Sequence, residues 1–269
     1  YEQMFYFLSY AIDNGIKKIR ITGGEPTIRG DLDTFIKMLY DYEPSLDIAM
    51  TTNGFLLLPL AQKLADAGLQ RVNVSLDSID QNRFHAITKK DALHTVLQGL
   101  LSAKKAGLEV KLNTVVMKGI NDDEITSLYQ FAKQNGYEIR FIEFMENESA
   151  DRSIKTLKAS EIIRILSQKS SLKALKNNIQ SAATLYTDED GYRFGIIQPY
   201  DDSFCEHCNK LRLSAQGDLI PCLYFEDSLS VAKAVAQKDS KEMQDIVQQV
   251  LVNKPLKNRW SYNTQEFQT

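Results

Sequence analysis

Several absences narrow the class of this chain at once. Its 269 residues hold only three cysteines, an odd number in a long chain, which excludes the disulfide framework of a small secreted scaffold. No apolar run reaches the length that crosses a bilayer, and no signal peptide is visible. Neither charge sign dominates: 32 Lys and Arg stand against 35 Asp and Glu, a formal net charge of −3. That balance gives no ground for wholesale binding to nucleic acid or to an anionic membrane. A cytoplasmic enzyme or binding protein is the expectation that remains. An initiating Met is missing too: Tyr1 already belongs to the amphipathic stretch "YEQMFYFLSYAIDNG", which reads as a chain cut inside a domain.

What is present is a repeat. With 43% hydrophobic residues the chain can build one large core or two modest ones. Four segments resemble one another: "NGIKKIRIT", "AGLQRVNVS", "AGLEVKLNT" and "NGYEIRFIE". In each, a glycine (Gly15, Gly68, Gly107, Gly136) suits the left-handed position that closes a helix, and a strand-like run follows. Helical periodicity precedes them, as in "LLPLAQKLADAG" and "HTVLQGLLSAKKAG", and a further strand reads "LDIAMTTN". Helix and strand alternate, so the expected class is α/β with a parallel sheet.

A parallel strand covered on both faces should be almost wholly apolar. Here alternation persists. Arg71, Asn73, Ser75 and Asp77 share one face, opposite Val72, Val74 and Leu76; Lys111 and Asn113 oppose Val110 and Leu112; Arg20 and Thr22 oppose Ile19 and Ile21. A curved, incomplete β/α barrel with a polar and basic lumen accounts for this, and solvated positions on edge strands are the alternative. Arg20 and Lys111 then read as inward cations with no structural reason to be there. Polar residues also gather where strands end: Thr22, Gly23, Gly24 and Glu25; Thr51, Thr52 and Asn53; Ser75 and Asp77; Glu143. In β/α barrels that rim builds the active site.

After Met145 the pattern changes. A polar connector, "ENESADRS", leads to the helix-like "KASEIIRILSQ", then to strands around the turn "DEDG", and to the hairpin-like "LRLSAQGDLIPCLY". Two domains are expected, residues 1–145 and 146–269. All three cysteines lie in the second: Cys205 and Cys208, then Cys222 after thirteen residues, with the hairpin returning Cys222 toward the other two. Inert buried thiols are one reading, although Glu206, His207 and Asn209 make the surroundings polar. Zinc with an acidic fourth ligand is a second. A cluster is the third: iron–sulfur clusters take one thiolate per iron, so three cysteines leave one iron of a 4Fe–4S cube open. Lys210 and Arg212 follow and suit an anionic ligand.

"ITGGEPTIRGDL", "TTNG", "VNVSLD", "VKLNTVVMKGIND", "IRFIEFM" and "CEHCNKLRLSAQGDLIPCL" occur in an order that resembles the GTP 3′,8-cyclases, radical S-adenosylmethionine (SAM) enzymes of molybdenum cofactor synthesis. The resemblance covers nearly the whole chain. It implies a partial parallel barrel that holds SAM through Gly24, Ser75 and Met145. It implies GTP contacts from Arg20, Thr51, Lys111, Lys210 and Arg212. Cys205, Cys208 and Cys222 would carry an auxiliary 4Fe–4S cluster whose open iron meets the guanine. The implied chemistry is reductive cleavage of SAM, hydrogen abstraction at C3′ of GTP and attack on C8. The implied partners are an electron donor such as flavodoxin or ferredoxin and the cyclic pyranopterin monophosphate synthase that takes the product. A homodimer is one assembly left open.

The resemblance also has gaps. The family's SAM-cleaving cluster sits on a C-x3-C-x2-C loop that does not occur here, so a second cluster and the radical-generating site are expected on a missing N-terminal segment. A C-terminal Gly-Gly tail is absent as well, and the chain as written is expected not to cleave SAM. Lys210 stands where the family usually has Arg, which keeps the charge but loses the fork of donors. The rivals are a peptide-modifying radical SAM enzyme, which usually carries more cysteines, and a non-catalytic nucleotide-binding protein with structural zinc.

Overall fold

The structure, a computed structural model, describes residues 1–145, 151, 153–175, 182–201, 204–205, 208–222 and 227–255. Contacts divide the chain into two compact units, Lys18–Gln198 and Tyr1–Lys17 with Pro199–Thr269.

In the first unit the repeat read from the sequence becomes β1 (Lys18–Ile21), α2 (Leu32–Tyr42), β2 (Asp47–Thr52), α3 (Leu57–Asp66), β3 (Arg71–Ser75), α4 (Gln81–Thr88), α5 (Leu93–Lys105), β4 (Glu109–Lys118), α6 (Ile125–Asn135) and β5 (Glu138–Glu143). Then come β6 (Lys155–Thr156), α7 (Ala159–Ser167), β7 (Lys173–Ala174), β8 (Thr184–Thr187) and β9 (Arg193–Ile197). Strands β1-β2-β3-β4-β5-β9 run parallel in that order, β8 and β7 extend the sheet antiparallel, and β6 pairs with β4. The fold is α/β on a mostly parallel sheet whose path ends at β1 and β7. Strand β9 carries that sheet past residue 145, so a boundary there would divide roles and not packing.

Most of these helices present a stripe at helical spacing; on α2 it is Leu32, Phe35, Ile36 and Leu39, all buried. The stripes cover Ile48, Met50, Val72, Val74, Leu112, Ile139 and Phe141, fully buried on one face of the sheet. Burying a side chain of this size contributes about 1.5–3 kcal/mol, so this face contributes strongly to the unit's stability. The four repeat glycines have φ of 99°, 105°, 84° and 67°, as the helix-closing reading requires. At Gly68 packing adds a second constraint: a Cβ there would meet Tyr40 Cγ at 2.4 Å.

The β8–β9 hairpin is anchored by Asp188, whose carboxylate accepts from Tyr129 Oη and Lys133 Nζ at 2.6 Å each and from the N–H groups of Asp190 and Tyr192. Burial opposes that charge, but Lys133, Tyr129 and the turn amide outweigh it and hold the carboxyl below its usual range.

The second unit is smaller. It contains α1 (Glu2–Asp13), β10 (Arg212–Leu213), β11 (Asp218–Ile220), β12 (Leu229–Ser230), α8 (Ala232–Gln237) and α9 (Ser240–Val252). The three strands form an antiparallel sheet, and Phe7, Leu219, Val231, Ala234, Val235, Met243 and Val250 make its core. Among the described residues, no helix is long and apolar enough to cross a membrane.

Candidate functional site

The turn after β1 is tied to the end of β2 by one side chain. Glu25 accepts from Thr27 N (3.1 Å) and Oγ1 (2.5 Å), from Thr52 Oγ1 (2.7 Å) and from Asn53 N (2.7 Å). Four donors converge on this one carboxylate, so Glu25 ties the rim together. Beside it, Gly24 is exposed, and a Cβ there would meet nothing within 4 Å. Neither packing nor backbone angle calls for glycine at this position. Ser75 is exposed at the end of β3, and Met145 is half-buried. Glu143 departs from the rim inferred from the sequence. It shares the apolar face of β5 with Ile139 and Phe141, and its carboxylate accepts the Ala159 N–H at the start of α7 (2.7 Å).

The parallel register sets the inner face in rows. Arg20 lies across from Ala49 and Ala49 from Arg71; Thr51, Asn73, Lys111 and Glu138 form the next row; Ser75, Asn113 and Arg140 the next. This corrects the reading of Lys111 as a cation without structural cause: its Nζ lies 3.0 Å from both Glu109 and Glu138. Arg140 reaches Glu138 Oε1 at 2.9 Å, and Arg71 pairs with Asp47 at 3.0 Å and Glu109 at 3.4 Å. Burial opposes ionisation of Glu109, but Lys111 and Arg71 outweigh it and keep its pKa low. Arg20 is itself exposed; the protein packed around its stem, then Arg140 and Arg71, lower its pKa, with Asp47 opposing. Solvent screens that repulsion, and Arg20 is a cation on this face with no carboxylate at ion-pair distance among the described residues.

Two amide oxygens on the same face, of Asn73 and Asn113, are buried without a hydrogen-bond partner. Asn73 Nδ2 approaches the Met50 carbonyl at 3.4 Å, which fixes which way that amide points. Buried polar atoms are rarely left unpaired, and two on adjacent strands suit a face that meets a ligand. Just above, Asp77 accepts from Val115 N at 2.8 Å, yet burial outweighs that bond and pushes its pKa up to about 6.

The hairpin between the cysteines forms, though briefly: Arg212 lies across from Ile220 and Leu213 from Leu219. Cys205 and Cys208 stand one turn apart, Cys208 N donating to Cys205 O at 3.1 Å. All three thiols are half-buried and none forms a disulfide. Lys254 Nζ bridges the two flanks, donating to the Lys210 carbonyl at 2.7 Å and the Pro221 carbonyl at 2.8 Å. One flank leads back to Cys208 and the other directly to Cys222. Lys210 and Arg212 are half-buried here. Glu206 and His207 lie outside the described residues. Among the described residues, no three His, Cys, Asp or Glu side chains are grouped to share a single metal ion. A cube takes one thiolate per iron, a different requirement.

Sequence reasoning missed Asp47, Glu109, Glu138 and Arg140 as parts of the inner face. The signal was there: Glu109 and Glu138 each stand two residues before a cation of the same face, the spacing that exposed Lys111.

Residues 2–132 match the family model described as the radical SAM superfamily, and residues 137–260 match the one described as Molybdenum Cofactor Synthesis C. A GTP 3′,8-cyclase of Campylobacter curvus is 50% identical over 261 residues, covering 97% of this chain and 81% of the relative. One of Nautilia profundicola is 52% identical over 260 residues, with the same coverage. Among solved structures, Streptococcus suis SuiB, alone and bound to S-adenosylmethionine, superposes with a TM-score of 0.64 at 15% identity. The match covers 86% of this chain and 57% or 56% of SuiB, so this chain spans little more than half of that protein's length. At such identity the likeness speaks for the fold alone.

Proposed function

The chain belongs to the GTP 3′,8-cyclase family of radical SAM enzymes in molybdenum cofactor synthesis, and from that premise we propose that it serves ring closure of GTP to 3′,8-cyclo-7,8-dihydroguanosine triphosphate. The residues suit the groups this needs. Gly24 leaves room for a ligand at the backbone, and Ser75 presents a hydroxyl at the strand end, a fit for SAM together with Met145. Cys205 and Cys208 precede one short hairpin and Cys222 follows it, a donor set whose chemistry suits a 4Fe–4S cluster with one iron open. When bound, SAM and the clusters supply the one-electron chemistry that breaks the C3′–H bond. The chain's own part is to bind, orient and exclude water.

The observation that carries the nucleotide reading is Arg20, an exposed cation in the same row as Arg71, with no carboxylate at ion-pair distance among the described residues. Lys111 and Thr51 lie on the same face, in the next row. Lys210 and Arg212 are proposed as further nucleotide contacts in the second unit. An electron donor of the flavodoxin or ferredoxin kind, and a synthase that takes the cyclic product, complete the proposed partners.

Calorimetric titration of Arg20→Ala with GTP and, separately, with SAM tests this. Loss of a charge-assisted contact should weaken GTP binding about tenfold or more and leave SAM binding nearly unchanged. Equal weakening of both ligands would indicate a damaged fold, and unchanged GTP affinity would remove Arg20 from the site.

A further inference from the structure

A face proposed for a polyphosphate also carries Asp47, Asp77, Glu109 and Glu138, and the two glutamates hold cations that a phosphate would need. Glu138 Oε1 serves two strands at once: Lys111 Nζ at 3.0 Å and Arg140 NH2 at 2.9 Å. The register makes this unavoidable, because Glu138 lies directly across from Lys111 and Arg140 follows on the same face of β5. Glu109 takes the other side of Lys111 and a share of Arg71. Glu138 is only 17% exposed and Glu109 53%, so solvent screens the first pairing less.

In the free protein each carboxylate compensates its cations. With phosphates bound, the same carboxylate is a like charge beside the ligand. Its removal therefore raises the energy of the free state and lowers that of the complex. We propose that Glu138, aided by Glu109, is a counter-charge that competes with the substrate's phosphates for Lys111 and Arg140. It thereby sets nucleotide affinity. The proposal deepens the cyclase reading and rests on it in one respect, that an anionic nucleotide occupies this face. A carboxylate that merely positioned the cations would have the opposite signature: its loss would loosen Lys111 and Arg140 and weaken binding.

The test is calorimetric titration of the wild type, Glu138→Gln, Glu109→Gln and Arg20→Ala with GTP, GMP and inorganic tripolyphosphate. Glu138→Gln should bind GTP and tripolyphosphate about three- to tenfold more tightly, the scale of one or two partly exposed ion pairs released. The gain should be smaller for GMP, which carries fewer phosphates for the carboxylate to repel, and the unliganded melting temperature should fall. Glu109→Gln should shift in the same direction by about twofold, and it carries the test if Glu138→Gln does not fold. Unchanged or weaker binding in these variants, with Arg20→Ala still impaired, overturns the counter-charge while leaving the nucleotide site in place. Undiminished GTP and tripolyphosphate binding by Arg20→Ala overturns both.

Discussion

In the unit Lys18–Gln198, candidate residues ride on six parallel strands whose other face is sealed by helices; in the smaller unit, the cysteines flank a hairpin with two paired residues on each strand. The first holds its geometry by register. A side chain such as Lys111 cannot leave its row without moving a strand that buries Val110 and Leu112 behind it. The second holds its geometry by a short ladder, a core of seven buried residues and the bridge from Lys254. Positioning by a sheet is a collective property, whereas positioning by a hairpin depends on a few bonds. The sheet unit should therefore answer substitutions with global stability, and the hairpin unit with local opening.

The largest expected effect would break the sheet's advantage at its far edge. Asp188→Ala leaves the buried Tyr129 hydroxyl and two turn N–H groups without their acceptor, and should cost about 3–4 kcal/mol in urea unfolding. A cost under about 1 kcal/mol would mean that the β8–β9 hairpin is held by strand pairing alone.

Next comes the rim, where burial works against charge. Asp77 is pushed from 3.8 up to about 6, so the folded state holds a proton that the unfolded state has lost between those values. Stability from this group is fully present below about pH 4 and is lost as pH rises through 6, a change of about 2–3 kcal/mol. Denaturation midpoints measured from pH 4 to 7 should show that slope in the wild type and lose it in Asp77→Asn. An identical slope in both would place the titration elsewhere.

The smallest effect sharpens the other side of the comparison. Lys254→Ala removes two bonds to backbone carbonyls and should cost about 1–2 kcal/mol, confined to the hairpin. Hydrogen exchange should quicken in β10 and β11 and stay unchanged in β2 to β5, and iron should pass faster to a chelator from reconstituted protein. Uniform acceleration across both units would refute the local account.

The elements and the barrel-type alternation were legible because they are short-range. Glycine at helix ends, apolar stripes at helical spacing and period-two strands each speak within a few residues, and Gly15, Gly68, Gly107 and Gly136 all adopt the conformation expected of them. The hairpin beside the cysteines was legible for the same reason. Less legible was which polar residue does which task. Glu25 and Glu143 both looked like rim carboxylates. One is consumed by four donors in the turn after β1, and the other faces the helix layer and caps α7. Period two says that a side chain changes face, but not whether a strand's last residue keeps the pattern or what waits across from it.

The sequence by itself determined the class of the fold, the polar inner face with Arg20 and Lys111 upon it, the three-cysteine hairpin and the family to which these belong. Only the tertiary structure decided the charge state of that face. Whether Lys111 is free for an anion depends on Glu109 and Glu138, and the second comes from a neighbouring strand 27 residues away in the chain. Parallel strands joined through helices set such pairs side by side by register, a long-range choice that the residues around either partner do not encode.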